Sequence, residues 1–353
     1  MELVVVPAVV GAITGVLVGL LVDVVERFLL ETVILGIPGP WFAIPALGVF
    51  VLTRLALVKV AGATSPSTSE LFPEAYHHGK WRYPLRQVPG RILSGVTTVG
   101  LGGSQGLESQ SAMVGSTVGI AIRRVFGDRL PYLSTQAGRR LVLVCGASAG
   151  IATVFSSPIL GAAYGIEMPF RRRLDGRRLL PSMIAASVSY VTASLIKSSR
   201  SLMTYVPHDI SAREMAGALG VALLCGVGAR YFAVIMGHIR RWKDGPRPWL
   251  RAAGAGVALM LLAMAGWFVT GQPISAGPGY VASDWALPAS GPGPTVWLLV
   301  AALAFRWLTV LLCIGAGGGG GVFTSLATNG LLIGTAVAVA MDLPNPTLLA
   351  LVG

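Results

Sequence analysis

Apolar residues run through this chain over lengths that a soluble fold does not need. Stretches near 3–30, 40–61, 177–197, 211–236, 249–271 and 294–314 are sparing in charge, and each is long enough, at about 20 residues, to carry a helix across roughly 30 Å of hydrocarbon. They read as plain membrane-crossing helices. Three further apolar stretches, 88–122, 139–168 and 315–341, hold Gly and Ser clusters where a simple membrane helix would hold Leu. Glycine inside a helix costs up to about 1 kcal/mol relative to Ala, so these three predict broken or closely packed helices. The stretch 139–168, interrupted at Ser156, Ser157 and Pro158, is expected to make one crossing from two short helices. The opening run lacks a basic head and stays apolar to about Val22, which predicts a retained helix rather than a signal peptide.

Composition agrees: 54% of residues are hydrophobic and 12% charged. The expected fold class is an all-α polytopic membrane protein. Its net charge of +12 lies in connections, with Arg171, Arg172, Arg173, Arg177 and Arg178 in one and Arg240, Arg241, Lys243, Arg247 and Arg251 in another. By the positive-inside rule the loops 171–178 and 240–251 are cytoplasmic, and the two spans between them fit that placement, in a plasma (inner) membrane. The basicity thus reports topology, and no nucleic-acid partner is expected. The same count puts the loop near 123–140 outside, although it carries five arginines against Asp128, either a positive mouth for anions or a tolerated exception.

Cys145, Cys225 and Cys313 sit singly in apolar segments and are expected to pack rather than bind metal. No His or Cys accompanies an acid in an apolar segment, so an intramembrane enzyme is the weakest reading, and neither metal nor cofactor is implied.

A site for an anion inside a membrane has to replace the ion's water shell without holding it too tightly. Helix N-termini do this, because their first N–H groups lack a helical partner and carry partial positive charge. Gly and small residues before a short helix mark such a place. Three stretches carry the mark: Gly62-Ala63-Thr64-Ser65-Pro66, Gly106-Leu107-Glu108-Ser109-Gln110, and Gly317 to Gly321 followed by Val322-Phe323-Thr324-Ser325. Five successive glycines predict backbone that is not helical and approaches something closely. Among the acids, Glu108 and Glu167 lie inside the Gly-rich stretches, where an ionisable side chain is a functional candidate. A carboxylate at the start of a helix competes with an anion for the same N–H donors, so protonating Glu108 would open the path.

These residues resemble the CLC family of chloride channels and proton-coupled chloride transporters. The family's GREGP motif, whose Glu is the gate, is matched by Gly106 to Gln110; GxFxP by Gly321 to Ser325; and the GSGIP loop by Gly62 to Pro66. The segment from Gly146 through Phe155, Pro158, Gly161 and Glu167 follows a longer family pattern, and Arg306 matches an arginine ahead of GxFxP. The resemblance implies two halves of opposite topology, 1–200 and 201–353, built of broken and tilted helices, with Phe323 mirroring Glu108 across the pseudo-axis. It also implies a homodimer with one pore per subunit in the lipid bilayer. Glu108 would gate a small anion, chloride by default, held by Ala63, Thr64, Ser65, Gly106, Ser109, Gln110, Gly321, Val322, Phe323 and Thr324.

The departures matter too. Ala63 stands where the family has the serine that touches chloride, with Thr64 or Ser65 as substitutes. Gln110 and Ser325 replace motif prolines and each adds an N–H. Met168 replaces the inner glutamate of the proton-coupled members, leaving Glu167 as the proton-path candidate and tilting the expectation from anion/proton antiporter towards channel. The second half stops at Gly353, short of the helices with which the family continues. A non-conducting scaffold of the same fold is the alternative.

Overall fold

The computed structural model describes residues 2–63, 71–77, 85–169, 176–196, 203, 205, 207–239, 246–288 and 292–353. Among them the chain is helical and has no strand, only a single backbone bridge between Gly106 and Gly321. Seven helices are long and apolar enough to cross a membrane, as an integral membrane protein requires: Glu2–Ile34, Gly39–Ala61, Gln136–Phe155, Ala212–Ile239, Pro248–Thr270, Val296–Gly315 and Phe323–Ala340. Helices also form where short apolar segments pack on these.

Two stretches form helices of other lengths than the sequence predicts. The segment 177–197 forms the helix Leu179–Ser194, 16 residues, or about 24 Å at 1.5 Å per residue, shorter than the seven. Its small residues serve packing: Ala185 and Ser189 lie under Gly11 and Gly15 of the first helix, whose added Cβ atoms would stand 2.4 and 2.5 Å from their carbonyl oxygens. Residues 170–175 and 240–245, in the two basic loops, lie outside the described residues. In 139–168, the piece Gln136–Phe155 is 20 residues and long enough to cross alone. The predicted break is real. Ser156 ends that helix in the left-handed region at φ 52°, Ser157 caps the next by accepting from the Leu160 N–H at 3.3 Å, and Pro158 takes the first helical position, where no N–H is needed.

By its contacts the chain forms two compact units. The first comprises Met1–Arg27, Ala56–Leu93 and Leu107–Ser201. Its centre is Gln136–Phe155, capped by Thr135, whose hydroxyl accepts from the Gly138 N–H at 3.1 Å. Every residue of this helix from Leu141 to Val154 is buried, so it has no lipid-facing side and is enclosed by its neighbours. Glycine permits that enclosure. A Cβ on Gly115 would stand 1.9 Å from the Gly146 carbonyl oxygen, one on Gly119 2.2 Å from that of Val142, and one on Gly150 2.0 Å from that of Ser111.

The second unit comprises Phe28–Leu55, Ser94–Gly106 and Leu202–Gly353. Ala46–Leu55 packs against Pro248–Thr270 through Gly256, whose Cβ would stand 2.4 Å from the Leu47 carbonyl oxygen. Ala212–Ile239 buries only Glu214, Gly217, Val221 and Phe232, and leaves Leu219, Leu223, Leu224 and Val227 exposed, a pattern suited to hydrocarbon as solvent. Its start is pinned by Glu214, which accepts from the Ser211 N–H at 2.7 Å and meets His208 Nε2 at 2.6 Å.

Candidate functional site

The glycine run has the character its composition predicts. The helix Val296–Gly315 ends, Gly317 turns into the left-handed region at φ 82°, and the backbone stays irregular until Phe323 opens the helix Phe323–Ala340. What the run approaches closely is the segment 94–106 of its own unit. A Cβ on Gly318 would stand 2.5 Å from Gln105 Oε1, one on Gly319 2.4 Å from Ser94 Oγ, and one on Gly320 2.5 Å from Gln105 Cβ.

Backbone packed this closely against other groups must place its N–H donors, and it does. The amide of Gly318 donates to the Cys313 carbonyl at 2.7 Å, that of Gly319 to Thr98 Oγ1 at 2.9 Å, and that of Gly320 to Gln105 Oε1 at 3.0 Å. Gly321 and Gly106 exchange N–H···O bonds of 2.7 and 2.9 Å. The amides of Gly106 and Gly321, both expected to face the anion, are thus committed to each other's carbonyls.

The wall behind the run is polar and buried. Thr98 also meets Thr53 Oγ1 at 3.0 Å, and Ser94 gives its carbonyl to the Thr98 hydroxyl at 2.8 Å. The Ser104 hydroxyl reaches the Ser275 carbonyl and lies 2.8 Å from Thr309 Oγ1. Ser325, in place of the motif proline, donates its hydroxyl to the Ser104 carbonyl at 3.1 Å, so that replacement is used inside the protein. Arg306 is fully enclosed and donates to Asn329 Oδ1 at 3.2 Å, the Ile274 carbonyl at 2.6 Å and the Pro278 carbonyl at 2.9 Å. A buried guanidinium needs such partners, and here all three are neutral.

Two residues after Gly106 the helix Glu108–Phe126 begins, in the first unit. Its first helical bond runs from the Ser111 N–H to the Leu107 carbonyl at 2.9 Å, so the amides of Glu108, Ser109 and Gln110 belong to the first turn, the positive end of the helix dipole. Glu108 is 4% exposed and Gln110 is fully buried; Ser109 Oγ donates to Gln110 Oε1 at 3.3 Å. An enclosed acid at a helix N-terminus can yield its place only by changing charge or rotamer. The corresponding first turn of Phe323–Ala340 opens below the Leu326 N–H, which donates to the Val322 carbonyl at 3.0 Å. There Phe323 is 53% exposed and Thr324 is buried.

The remaining candidates are more dispersed. Gly62 turns at φ 61° and the Ala63 N–H donates to the Leu57 carbonyl at 3.0 Å, whereas Thr64 and Ser65 lie outside the described residues. Glu167 is exposed at the end of Pro158–Glu167, and Met168 packs against the first unit's apolar core. Cys145 and Cys313 are buried and Cys225 partly so, all unpaired. Residues that hold the glycine run yet were not singled out in the sequence are Ser94, Thr98, Ser104 and Gln105. Their one signal is polarity at helical spacing, Ser94 and Thr98, inside an otherwise apolar stretch.

The sequence profile described as "Voltage gated chloride channel" matches residues 46–353. The chain is similar to the H(+)/Cl(-) exchange transporter ClcA of Vibrio cholerae, 27% identical over 277 residues that make up 74% of this chain and 55% of that protein. It is also similar to the chloride/fluoride channel protein of Pseudomonas syringae pv. tomato, 30% identical over 152 residues, 42% of this chain and 32% of that one. The chain spans about half the length of the curated relatives it matches. Among solved structures it superposes on a CLC-type fluoride/proton antiporter with a TM-score of 0.78 at 22% identity, covering 99% of this chain and 84% of that one. On a slow cyanobacterial Cl−/H+ antiporter the TM-score is 0.79 at 22% identity, covering 99% and 83%. At this identity the likeness establishes a shared, CLC-like fold.

Proposed function

Because the chain belongs to the voltage-gated chloride channel family, we propose that it passes a small inorganic anion, chloride by default, through the membrane, with Glu108 as the gate. The observation that carries the reading is the enclosed carboxylate of Glu108 in the first turn of Glu108–Phe126. The same N–H donors and dipole that favour the carboxylate favour a halide, so the two compete, and protonation shifts the balance to the ion.

In this reading the chain is two inverted halves, 1–200 and 201–353, in a homodimer of the inner membrane. The residues proposed to hold the anion are Ser109, Gln110, Val322, Phe323 and Thr324, together with Ala63, Thr64 and Ser65 of the first glycine-containing loop. Gly106 and Gly321 give their amides to each other rather than to the anion. Passive conduction is favoured slightly, since Met168 leaves only exposed Glu167 for a proton path. Exchange is the second reading, favoured by the description of the Vibrio relative as an exchange transporter.

The test is anion efflux from liposomes containing the purified chain, with external pH recorded together. Chloride flux without stoichiometric proton movement is expected. Coupled proton movement makes the protein an exchanger, and flux no greater than from empty liposomes leaves the non-conducting scaffold. Fluoride, bromide and nitrate in the same assay rank the anions.

A further inference from the structure

We propose that the second unit carries a site for one anionic phospholipid, its acyl chain in the groove beside Pro248–Thr270 and its phosphate at Arg251. The groove, about 730 Å3, is walled by Ala255, Ala258 and Leu262 on that helix and by Leu308, Leu311 and Leu312 on Val296–Gly315, with Ile239 closing one end. Arg251, exposed, is the one charged residue of its lining among the described residues.

Depth and charge together specify the occupant. Pro248–Thr270 is one of the membrane-crossing helices and Arg251 lies in its first turn, at the level of lipid headgroups. Leu262 is eleven residues further along, about 16 Å deeper at 1.5 Å per residue, which is close to half of a hydrocarbon core of roughly 30 Å. The groove therefore runs from the headgroups to near the midplane, the path of a single acyl chain. Water there would face only hydrocarbon side chains, an unfavourable exchange. At the mouth, Arg251, Arg247 just ahead of the helix and the helix's own N-terminal dipole all favour negative charge. A phospholipid with net negative charge satisfies both ends, and a zwitterionic one satisfies the apolar end alone. This site does not depend on the anion passage proposed above.

Native mass spectrometry of the full chain, released from nanodiscs of equal phosphatidylglycerol and phosphatidylcholine, tests it. Phosphatidylglycerol is expected to be retained about fivefold over phosphatidylcholine, the weight of one basic side chain beside an anionic lipid surface. Arg251→Gln should erase that preference, and Ala258→Trp or Leu308→Trp should lose bound lipid of both kinds. Equal retention by the unaltered protein, an unchanged preference in Arg251→Gln, or lipid still held by the tryptophan variants overturns the proposal. Should the tryptophan variants fail to fold, the exposed Arg251 substitution decides alone.

Discussion

Glycine does opposite work in the two units. In the first, Gly115, Gly119, Gly146 and Gly150 lie inside unbroken helices and let backbones touch. In the second, Gly318, Gly319 and Gly320 lie where the helix has stopped, and each amide is met by a chosen acceptor, the Cys313 carbonyl, Thr98 or Gln105. Close approach between helices is a packing device. Close approach between an irregular strand of backbone and buried side chains orders that backbone, and here it sets the start of Phe323–Ala340. Altering the first kind should cost folding; altering the second should cost function at smaller cost in stability.

The largest effect is expected from Gly146→Val. A Cβ there lies 2.0 Å from the Gly115 carbonyl oxygen, backbone that cannot turn aside, and overpacking of this kind costs about 1–3 kcal/mol or more. The variant should lose its monodisperse peak in size-exclusion chromatography. Next is Gly319→Ala, whose Cβ would stand 2.4 Å from Ser94 Oγ and 2.6 Å from the Ser94 carbonyl carbon. It should remain monodisperse, melt at lower temperature and lose most anion flux. If it unfolds as Gly146→Val does, the distinction between the units fails.

Gln105→Leu should cost less, because it removes the acceptor of the part-buried Gly320 N–H, at about 1 kcal/mol. Gln105→Glu keeps an acceptor oxygen but buries a carboxylate, so it should recover the melting temperature only at acid pH, where the group is neutral, which thermal unfolding of both variants across pH would show. At the small end, Cys225→Ser, at a partly buried site beside Val221 and Ala338, should move stability by no more than about 0.5 kcal/mol and leave flux unchanged.

The same comparison explains what the sequence could tell. Long apolar runs marked five of the crossing helices within a few residues, and Ser156-Ser157-Pro158 marked a true helix break. The segment 177–197 marked a helix, Leu179–Ser194, but not that its small residues lie against the glycines of the first helix. The glycine run announced irregular, closely packed backbone, but not its partners: Thr98 and Gln105 are more than 200 positions away from the amides they serve, and long-range pairing leaves no local pattern. The enclosure of Arg306 by Asn329 and two carbonyls was hidden for the same reason.

The central claim is that a carboxylate at the head of Glu108–Phe126 closes an anion path. Chloride efflux from liposomes with Glu108→Gln, measured across pH against the unaltered protein, tests it most directly, since the amide keeps the shape and removes the charge. The account predicts flux that is high and independent of pH in the variant, and flux that rises with acidity in the unaltered chain. Equal pH dependence in both would contradict it.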